Sequence, residues 1–375
     1  MPRAVVTGAS GFLGHHIVQS LLRRGWSVTA IVRQGSYVAA LRRWGVTLAG
    51  ADFAHSRSVS AAMPQMPDVV IHAAAEPPSS PLSPEVLENR NVAATRSVLA
   101  AAQIADAGRI VHVSDSCVYN WYGVGEVCEM TPRLPDAPTG YIRSKLRCEE
   151  HARRTMTRGM DVVIVQPNPM FGPFQTHGLA YQAFASALGQ KVTPISNAGT
   201  CLAHPQAVAD AIVTAAESGA AGQSYLLGGE PIDFRTFAGL IAQATGGIAA
   251  RGAGWPYLRE ASDAVRILAS RVSKAPFCAS VVWREWLERA PLVDDRLARS
   301  ALSYRPLPMM TAVRDMVHWM QALGILEPLA RAARAAEPDF QASSFAPGAG
   351  AAPPVARQHL KIIRSDAQIL HEAAE

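Results

Sequence analysis

Cysteine is scarce. The 375 residues hold five, Cys117, Cys128, Cys148, Cys201 and Cys278, an odd number with no CxxC pair. Neither a disulfide framework nor a zinc site is therefore indicated. His15, His16, His72, His112 and His177 are also without metal-ligand spacing and read as packing or capping residues, so no metal site is expected. A reducing cytoplasm is the natural compartment. Long apolar runs are missing too: the longest are broken by charge or proline within about ten residues, against the roughly 20 needed to cross a bilayer, so no membrane span is expected. Charge is modest at 17% of residues, with a net +5 spread over Arg-rich stretches such as Arg147 to Arg158. No basic run is interleaved with aromatics, which argues against nucleic acid as a partner. Before the first strand, at Arg3-Ala4-Val5-Val6, there is no room for the charged and apolar regions of a secretion signal.

What is present is a rhythm. Ala4 to Thr7, Val28 to Val32, Val69 to His72, Ile110 to Val113 and Val162 to Val165 are short, nearly continuous apolar runs, the pattern of strands buried on both faces of a parallel sheet. Between them Phe12 to Arg24, Val86 to Ala105 and Tyr141 to Thr157 carry apolar residues at helical spacing. This alternation predicts an α/β fold, a doubly wound parallel sheet of Rossmann type over residues 1–166. From about Pro167 the pattern turns irregular, and residues 167–326 read mainly as a smaller mixed α/β substrate-binding lobe. Within it Val208 to Glu217, Phe237 to Thr245, Ala261 to Ser270 and Met309 to Leu323 are expected helices, and a strand near 224–227 is expected to return to the sheet. Trp255, Trp283 and Trp286 are assigned to packing, or to facing a ligand. Residues 327–375 read as a flexible tail, Ala/Gly/Pro/Ser-rich over 342–356, with an amphipathic helix from about Gln358 to Glu372.

The first strand runs directly into Thr7-Gly8-Ala9-Ser10-Gly11-Phe12-Leu13-Gly14, which opens the first helix. In that context Gly8 permits a tight turn, Gly11 lets backbone approach a pyrophosphate and Gly14 lets helix pack closely on sheet, while the helix N-terminus offers unpaired N–H groups. A dinucleotide is the expected ligand, held by Gly8, Ser10, Gly11, Phe12, Leu13 and Gly14. The second strand ends Ile31-Val32-Arg33. An acidic residue there would bind a ribose 2′-hydroxyl, whereas arginine pairs with a 2′-phosphate, so Arg33 favours NADP over NAD. Asp52, after a strand-like Val46 to Leu48 and with Phe53 beside it, is either an acceptor for an adenine amino group or an ordinary turn residue.

Tyr141 and Lys145 lie four residues apart in Tyr141-Ile142-Arg143-Ser144-Lys145, on one face of a predicted helix. A phenol titrates near pH 10, and a neighbouring ammonium is expected to bring it closer to working range. Hydride transfer to or from a carbonyl carbon needs one proton donor or acceptor at the oxygen, and Tyr141 supplies it.

These landmarks together resemble the extended short-chain dehydrogenases, the NAD-dependent epimerase/dehydratase family. Thr7 to Gly14, Val70 to Ala75, Asn91-Val92, the segment Arg109 to Tyr119, Tyr141 to Lys145 and Gln166-Pro167 leading to Phe171-Gly172-Pro173 occur in the family's order, over residues 1 to about 326. The resemblance implies a Rossmann domain with a small substrate lobe, cofactor contacts from Ala73, Ala74, Ala75, Asn91, Ser114 and Pro167, and a homodimer formed through Rossmann-domain helices. Around Arg33 the sequence is closer to flavonoid-reductase-like and hydroxysteroid-dehydrogenase-like branches than to the nucleotide-sugar epimerases. It departs from the family where the catalytic Ser or Thr is normally found, four residues before Tyr119. Asp115 stands there between Ser114 and Ser116, so either Ser116 supplies the hydroxyl, or Asp115 faces the substrate, or Asp115 merely caps a turn. Gln166 in place of an arginine and His204-Pro205-Gln206-Ala207 in place of an acidic stretch are expected to shape substrate contacts.

The expected activity is NADP(H)-dependent reduction of a ketone or aldehyde, or oxidation of the matching alcohol, with Tyr141, Lys145 and Ser116 or Asp115 as catalytic residues. Phe174, Tyr181, Phe184 and Trp255 suggest a fairly apolar small-molecule substrate. Two alternatives are a nucleotide-sugar epimerase or dehydratase, for which Arg251, Arg259 and Arg305 are available as a diphosphate clamp, and a non-catalytic dinucleotide-binding sensor or scaffold.

Overall fold

The computed structural model describes residues 1–122, 124–176, 181, 184, 199–245 and 292–326. The expected helix Ala261 to Ser270, Trp255, Trp283, Trp286, Arg251, Arg259, His177, Cys278 and the tail from 327 onward lie outside the described residues.

A parallel sheet of seven strands organises the chain. Its strands are β1 (Arg3–Thr7), β2 (Ser27–Val32), β3 (Thr47–Gly50), β4 (Val69–His72), β5 (Ile110–Val113), β7 (Val162–Pro167) and β9 (Ser224–Leu227), in the spatial order β3-β2-β1-β4-β5-β7-β9. Every residue of β4, β5, β7 and β9 is buried. That is why the sequence shows continuous apolar runs there rather than alternation. Side chains still alternate between the faces: Ala4 and Val6 join the core under one layer of helices, and Val5 the core under the other. The chain builds outward from β1 to β3 and then crosses back to β4, so the strand order reverses between β1 and β4. A crevice opens at their carboxyl ends.

Helices α1 (Phe12–Arg23) and α6 (Pro205–Ser218) cover one face. Ser20 donates to Asp210 at 2.6 Å, and Arg24 and Trp26 both reach Glu217. The other face carries α3 (Ser56–Ala62), α4 (Pro84–Ile104) and α5 (Gly140–Met156). Helix α4 starts earlier than apolar spacing alone indicates, because Pro84 occupies its first turn and Ser83 caps Val86. Short α2 (Ala39–Arg43) and α3 were not expected; each buries a single residue, Leu41 or Val59, so neither displays a period.

The remaining described residues form a smaller unit against the sheet's end. Strand β8 (Gly199–Leu202) pairs antiparallel with β10 (Glu230–Asp233), and α7 (Phe234–Thr245) and α9 (Met309–Ala322) pack beside them around Phe171, Phe184, Phe237, Met309 and Met316. Helix α7 begins three residues before the expected Phe237, because Asp233 receives the Thr236 amide at 2.7 Å. Two-residue strands β6 (Glu126–Val127) and β11 (Leu292–Val293) pair in parallel, and α8 (Arg296–Ala301) follows. Among the described residues, no helix is long and apolar enough to cross a membrane.

The junction between these units is aromatic. Phe174, at φ +66°, stacks on His15 with centroids 4.6 Å apart, and Trp44 and Trp319 close around it. His16 lies 3.0 Å from the Pro173 carbonyl and 3.3 Å from Gln206. Burial outweighs both hydrogen bonds and depresses the His16 pKa to about 4. An unfolded chain therefore takes up that proton first, near pH 6.5. Stability from neutral His16 is complete above pH 6.5 and is lost as pH falls toward 4, by at most about 3 kcal/mol. Calorimetric melting across that window is expected to show less acid destabilisation in His16→Gln than in the wild type; equal slopes would remove His16 from the account.

Candidate active site

At the crevice, the turn after β1 is held by contacts that leave no room for side chains. Gly8 has φ +74°, and a Cβ there would sit 2.7 Å from the main chain of Ala73 and Ala74. A Cβ on Gly14 would lie 1.9 Å from the Gly8 carbonyl oxygen. The Gly11 amide donates to Gly8 at 3.0 Å, and α1 starts without a side-chain cap, so its first amides remain available to an anion. Ser10, Phe12 and Leu13 are partly exposed around this turn, as are Ala73 and Ala74 facing it from the end of β4, and Ala75 beyond them is exposed. This cradle fits a dinucleotide pyrophosphate.

Arg33 leaves β2 toward solvent, and its guanidinium pairs with Glu76 at 2.7 Å. Asp52 has an exposed carboxylate that accepts the Ala54 amide at 2.9 Å, as an ordinary turn residue does. The Phe53 ring is buried in the core under α3 and α4.

Thr139 caps α5 by accepting the Ile142 amide at 3.2 Å, which places Tyr141 in the first turn and Lys145 one turn on. The Tyr141 hydroxyl donates to Asp115 Oδ2 at 3.0 Å, while Oδ1 of the same carboxylate receives the Cys117 amide at 2.8 Å and starts a 3-10 turn at Ser116–Val118. Asp115 thus both caps a turn and engages the phenol. Lys145 Nζ donates to the Val113 carbonyl at 3.2 Å and reaches Ser114 O at 3.5 Å, lying 5.6 Å from the Tyr141 ring centre.

This arrangement corrects the expected electrostatics. Burial, and secondarily the charge of Asp115, push the Tyr141 phenol well above its ordinary range. Burial raises the Asp115 carboxyl as well, with Lys145 partly opposing the rise. Lys145 is directed at main-chain carbonyls, and the group touching the phenol is an acid. Tyr141 is accordingly held protonated. The Ser114 and Ser116 hydroxyls and the Asn168 side-chain nitrogen are buried without a hydrogen-bond partner among the described residues, so polar capacity remains around the end of β5 and β7. Asp115 hydrogen-bonds Tyr141, whereas the Ser116 hydroxyl makes no hydrogen bond among the described residues.

Behind the site, Asn91 is committed to protein groups: it receives the Glu76 amide at 2.6 Å and donates to the Glu76 carbonyl and to Ser144, which in turn donates to the Tyr141 carbonyl at 2.7 Å. His72, lowered to about 3 by burial, is neutral between Thr7 and Thr95. Pro167 ends β7 in register with Leu227.

Two expected substrate contacts fall elsewhere. Gln166 is fully buried, accepting from Tyr119 at 2.7 Å and donating to Glu149 at 2.6 Å, while Arg133 binds Glu149 and covers the Tyr119 ring. A neutral amide accepts from the phenol and donates to the carboxylate at once, whereas an arginine could only donate. His204 accepts the Gln206 amide to cap α6 and meets Asp315 of α9 at 3.0 Å, tying two helices together. Phe184 belongs to the core of the smaller unit, and Phe174 to the aromatic junction. Beside Tyr141, Pro78, Leu82, Leu87 and Thr139 line a small, mainly apolar cleft that no motif announces. Among the described residues, no group of three or more His, Cys, Asp or Glu could hold a metal ion.

The family model described as "NAD dependent epimerase/dehydratase family" matches residues 4–228. The chain belongs to that family, whose members are nicotinamide-dinucleotide enzymes. It is 31% identical over 250 residues, 65% of this chain and 73% of the relative, to the 4-hydroxy-2-methyl-3-oxo-4-farnesyl-3,4-dihydroquinoline-1-oxide ketoreductase of Stigmatella aurantiaca. It is 33% identical over 184 residues, 46% of this chain and 54% of the relative, to a dTDP-glucose 4,6-dehydratase of Streptomyces antibioticus. The fold matches that of a dTDP-glucose 4,6-dehydratase from Streptomyces venezuelae, solved with NAD bound, at a TM-score of 0.68 and 22% identity over 88% of this chain and 100% of that one.

Because the Gly14 Cβ would strike main chain rather than a movable side chain, Gly14→Ala is expected to destabilise the fold by about 2–3 kcal/mol. A thermal melt compared with wild type checks this, and an unshifted midpoint would mean that α1 stands further from β1 than described.

Proposed function

We propose that the protein is an NADP(H)-dependent reductase of a ketone or aldehyde, working on the matching secondary or primary alcohol in reverse. The observation that carries this reading is the Tyr141–Asp115 hydrogen bond, with a phenol that burial and a carboxylate keep protonated. When bound, the reduced dinucleotide supplies a hydride to the carbonyl carbon. The chain's own residues manage the other half of the reaction, the proton at oxygen. An alkoxide forming on the substrate is far more basic than a phenolate, so Tyr141 is a competent donor despite its raised pKa. Asp115 orients the phenol by accepting its hydrogen bond. In this reading Lys145, whose ammonium is fixed at the end of β5, holds the nicotinamide ribose and Arg33 meets a 2′-phosphate. Pro78, Leu82 and Leu87 put apolar surface beside Tyr141, in keeping with an apolar substrate. The likeness to a ketoreductase agrees with this direction of reaction.

Tyr141→Phe is expected to lower the rate of carbonyl-dependent NADPH oxidation, followed at 340 nm, by about 10²–10⁴-fold, with NADPH affinity within about twofold of wild type. Turnover that survives this change would end the catalytic assignment. Wild type that consumes no NADPH with a panel of apolar ketones, yet converts a nucleotide sugar, would instead favour epimerase or dehydratase chemistry. Because the carboxylate raises the phenol's pKa, Asp115→Asn is expected to move the alkaline limb of kcat/KM for reduction to lower pH. A profile that stays in place would show that the two groups are not coupled.

A further inference from the structure

Glu76 belongs to no motif, yet it occupies a position that bears on the choice of cofactor. It follows Ala75 in the loop after β4, and its carboxylate is 2.7 Å from the guanidinium of Arg33 and 3.8 Å from that of Arg90 on α4. The Arg33 side chain is 64% exposed and that of Glu76 only 16%. The acid is therefore the fixed partner and the arginine the movable one. Its main chain is clasped on both sides, the amide donating to Asn91 at 2.6 Å and the carbonyl accepting from Asn91 at 3.2 Å, and Asn91 is itself buried. The clasp fixes the main chain from which the Glu76 carboxylate reaches Arg33.

From this geometry we infer that Glu76 is a specificity-determining residue that weakens the binding of a 2′-phosphorylated dinucleotide relative to its 2′-hydroxyl counterpart. The inference rests on the proposed role of Arg33 as the 2′-phosphate anchor. A 2′-phosphate brings about two negative charges to a guanidinium already paired with a carboxylate, so it must displace Glu76 and then stand close to it. A 2′-hydroxyl has a proton to donate to that carboxylate and meets no such repulsion. Arg90 gives Glu76 a second cation once Arg33 turns to the phosphate. Displacement therefore does not strand a buried charge, and NADP binding is reduced rather than abolished. The protein is thereby set to use both dinucleotides with a narrower preference than Arg33 alone would impose.

The test measures dissociation constants of NADPH and NADH by their fluorescence, with no substrate present, for wild type, Arg33→Ala, Glu76→Gln and the double variant. Glu76→Gln is expected to tighten NADPH by about 5- to 10-fold and to leave NADH unchanged or up to about threefold weaker. This gain is expected to vanish in the Arg33→Ala background. Arg33→Ala alone is expected to weaken NADPH at least about tenfold and NADH little. If Arg33→Ala weakens NADPH but Glu76→Gln leaves it unchanged, the inference about Glu76 is overturned and the role of Arg33 stands. If Arg33→Ala leaves NADPH unchanged, the NADP reading itself falls, and the inference with it. Melting curves of the unliganded variants verify folding, and Glu76→Asp, which keeps the charge, is expected to retain most of the wild-type discrimination.

Discussion

Between the first turn of α1, the end of β1 and the end of β4 there is space for main chain and nothing more. The Gly14 position touches the Gly8 carbonyl, and the Gly8 position touches the main chain of Ala73 and Ala74. This contact brings the N-terminus of α1 to the point where the strand order reverses, so unpaired amides face the crevice. It also sets the distance from α1 to β4, and through β4 the positions of β5 and of α5 beyond it. Asp115, Lys145 and Tyr141 all belong to that second half of the sheet. The glycine cradle and Tyr141 are two ends of one arrangement.

Electrostatics at the site are governed by burial. His72, Asp115 and Tyr141 are each driven toward their neutral forms by loss of water. A Tyr/Lys pair read in isolation suggests an ammonium lowering the pKa of a phenol. In the folded chain the ammonium is bound by carbonyls of Val113 and Ser114, and the phenol meets Asp115. Desolvation then dominates, and the phenol becomes a proton holder. That is the state the proposed carbonyl reduction requires, in which the proton must be in place when hydride arrives.

Substitutions at family landmarks turn out to be compensated inside the fold. Gln166 is neutral where the family resemblance implies an arginine, and the buried Glu149 beside it is balanced by Arg133, which also covers Tyr119. His204 supplies the cap of α6 and joins it to Asp315. Both side chains are engaged by other protein groups.

Much of this architecture was legible in the sequence. Continuous apolar runs forecast the parallel strands, because burial on both faces leaves no polar positions to write into them. The glycine spacing forecast the cradle, since each glycine answers a local steric demand, and the four-residue interval placed Tyr141 and Lys145 on one helical face. Other features were decided only by tertiary structure. Whether Asp115 or Ser116 meets Tyr141 depends on how the chain turns at the end of β5, where one carboxylate caps the turn and reaches across to α5. The meeting of Arg33 with Glu76, and of Gln166 with Glu149, joins segments far apart in the chain with no local pattern to mark them. Backbone geometry repeats along a chain and can be read from spacing; the partner of a particular charge depends on which distant segment the folded sheet brings beside it.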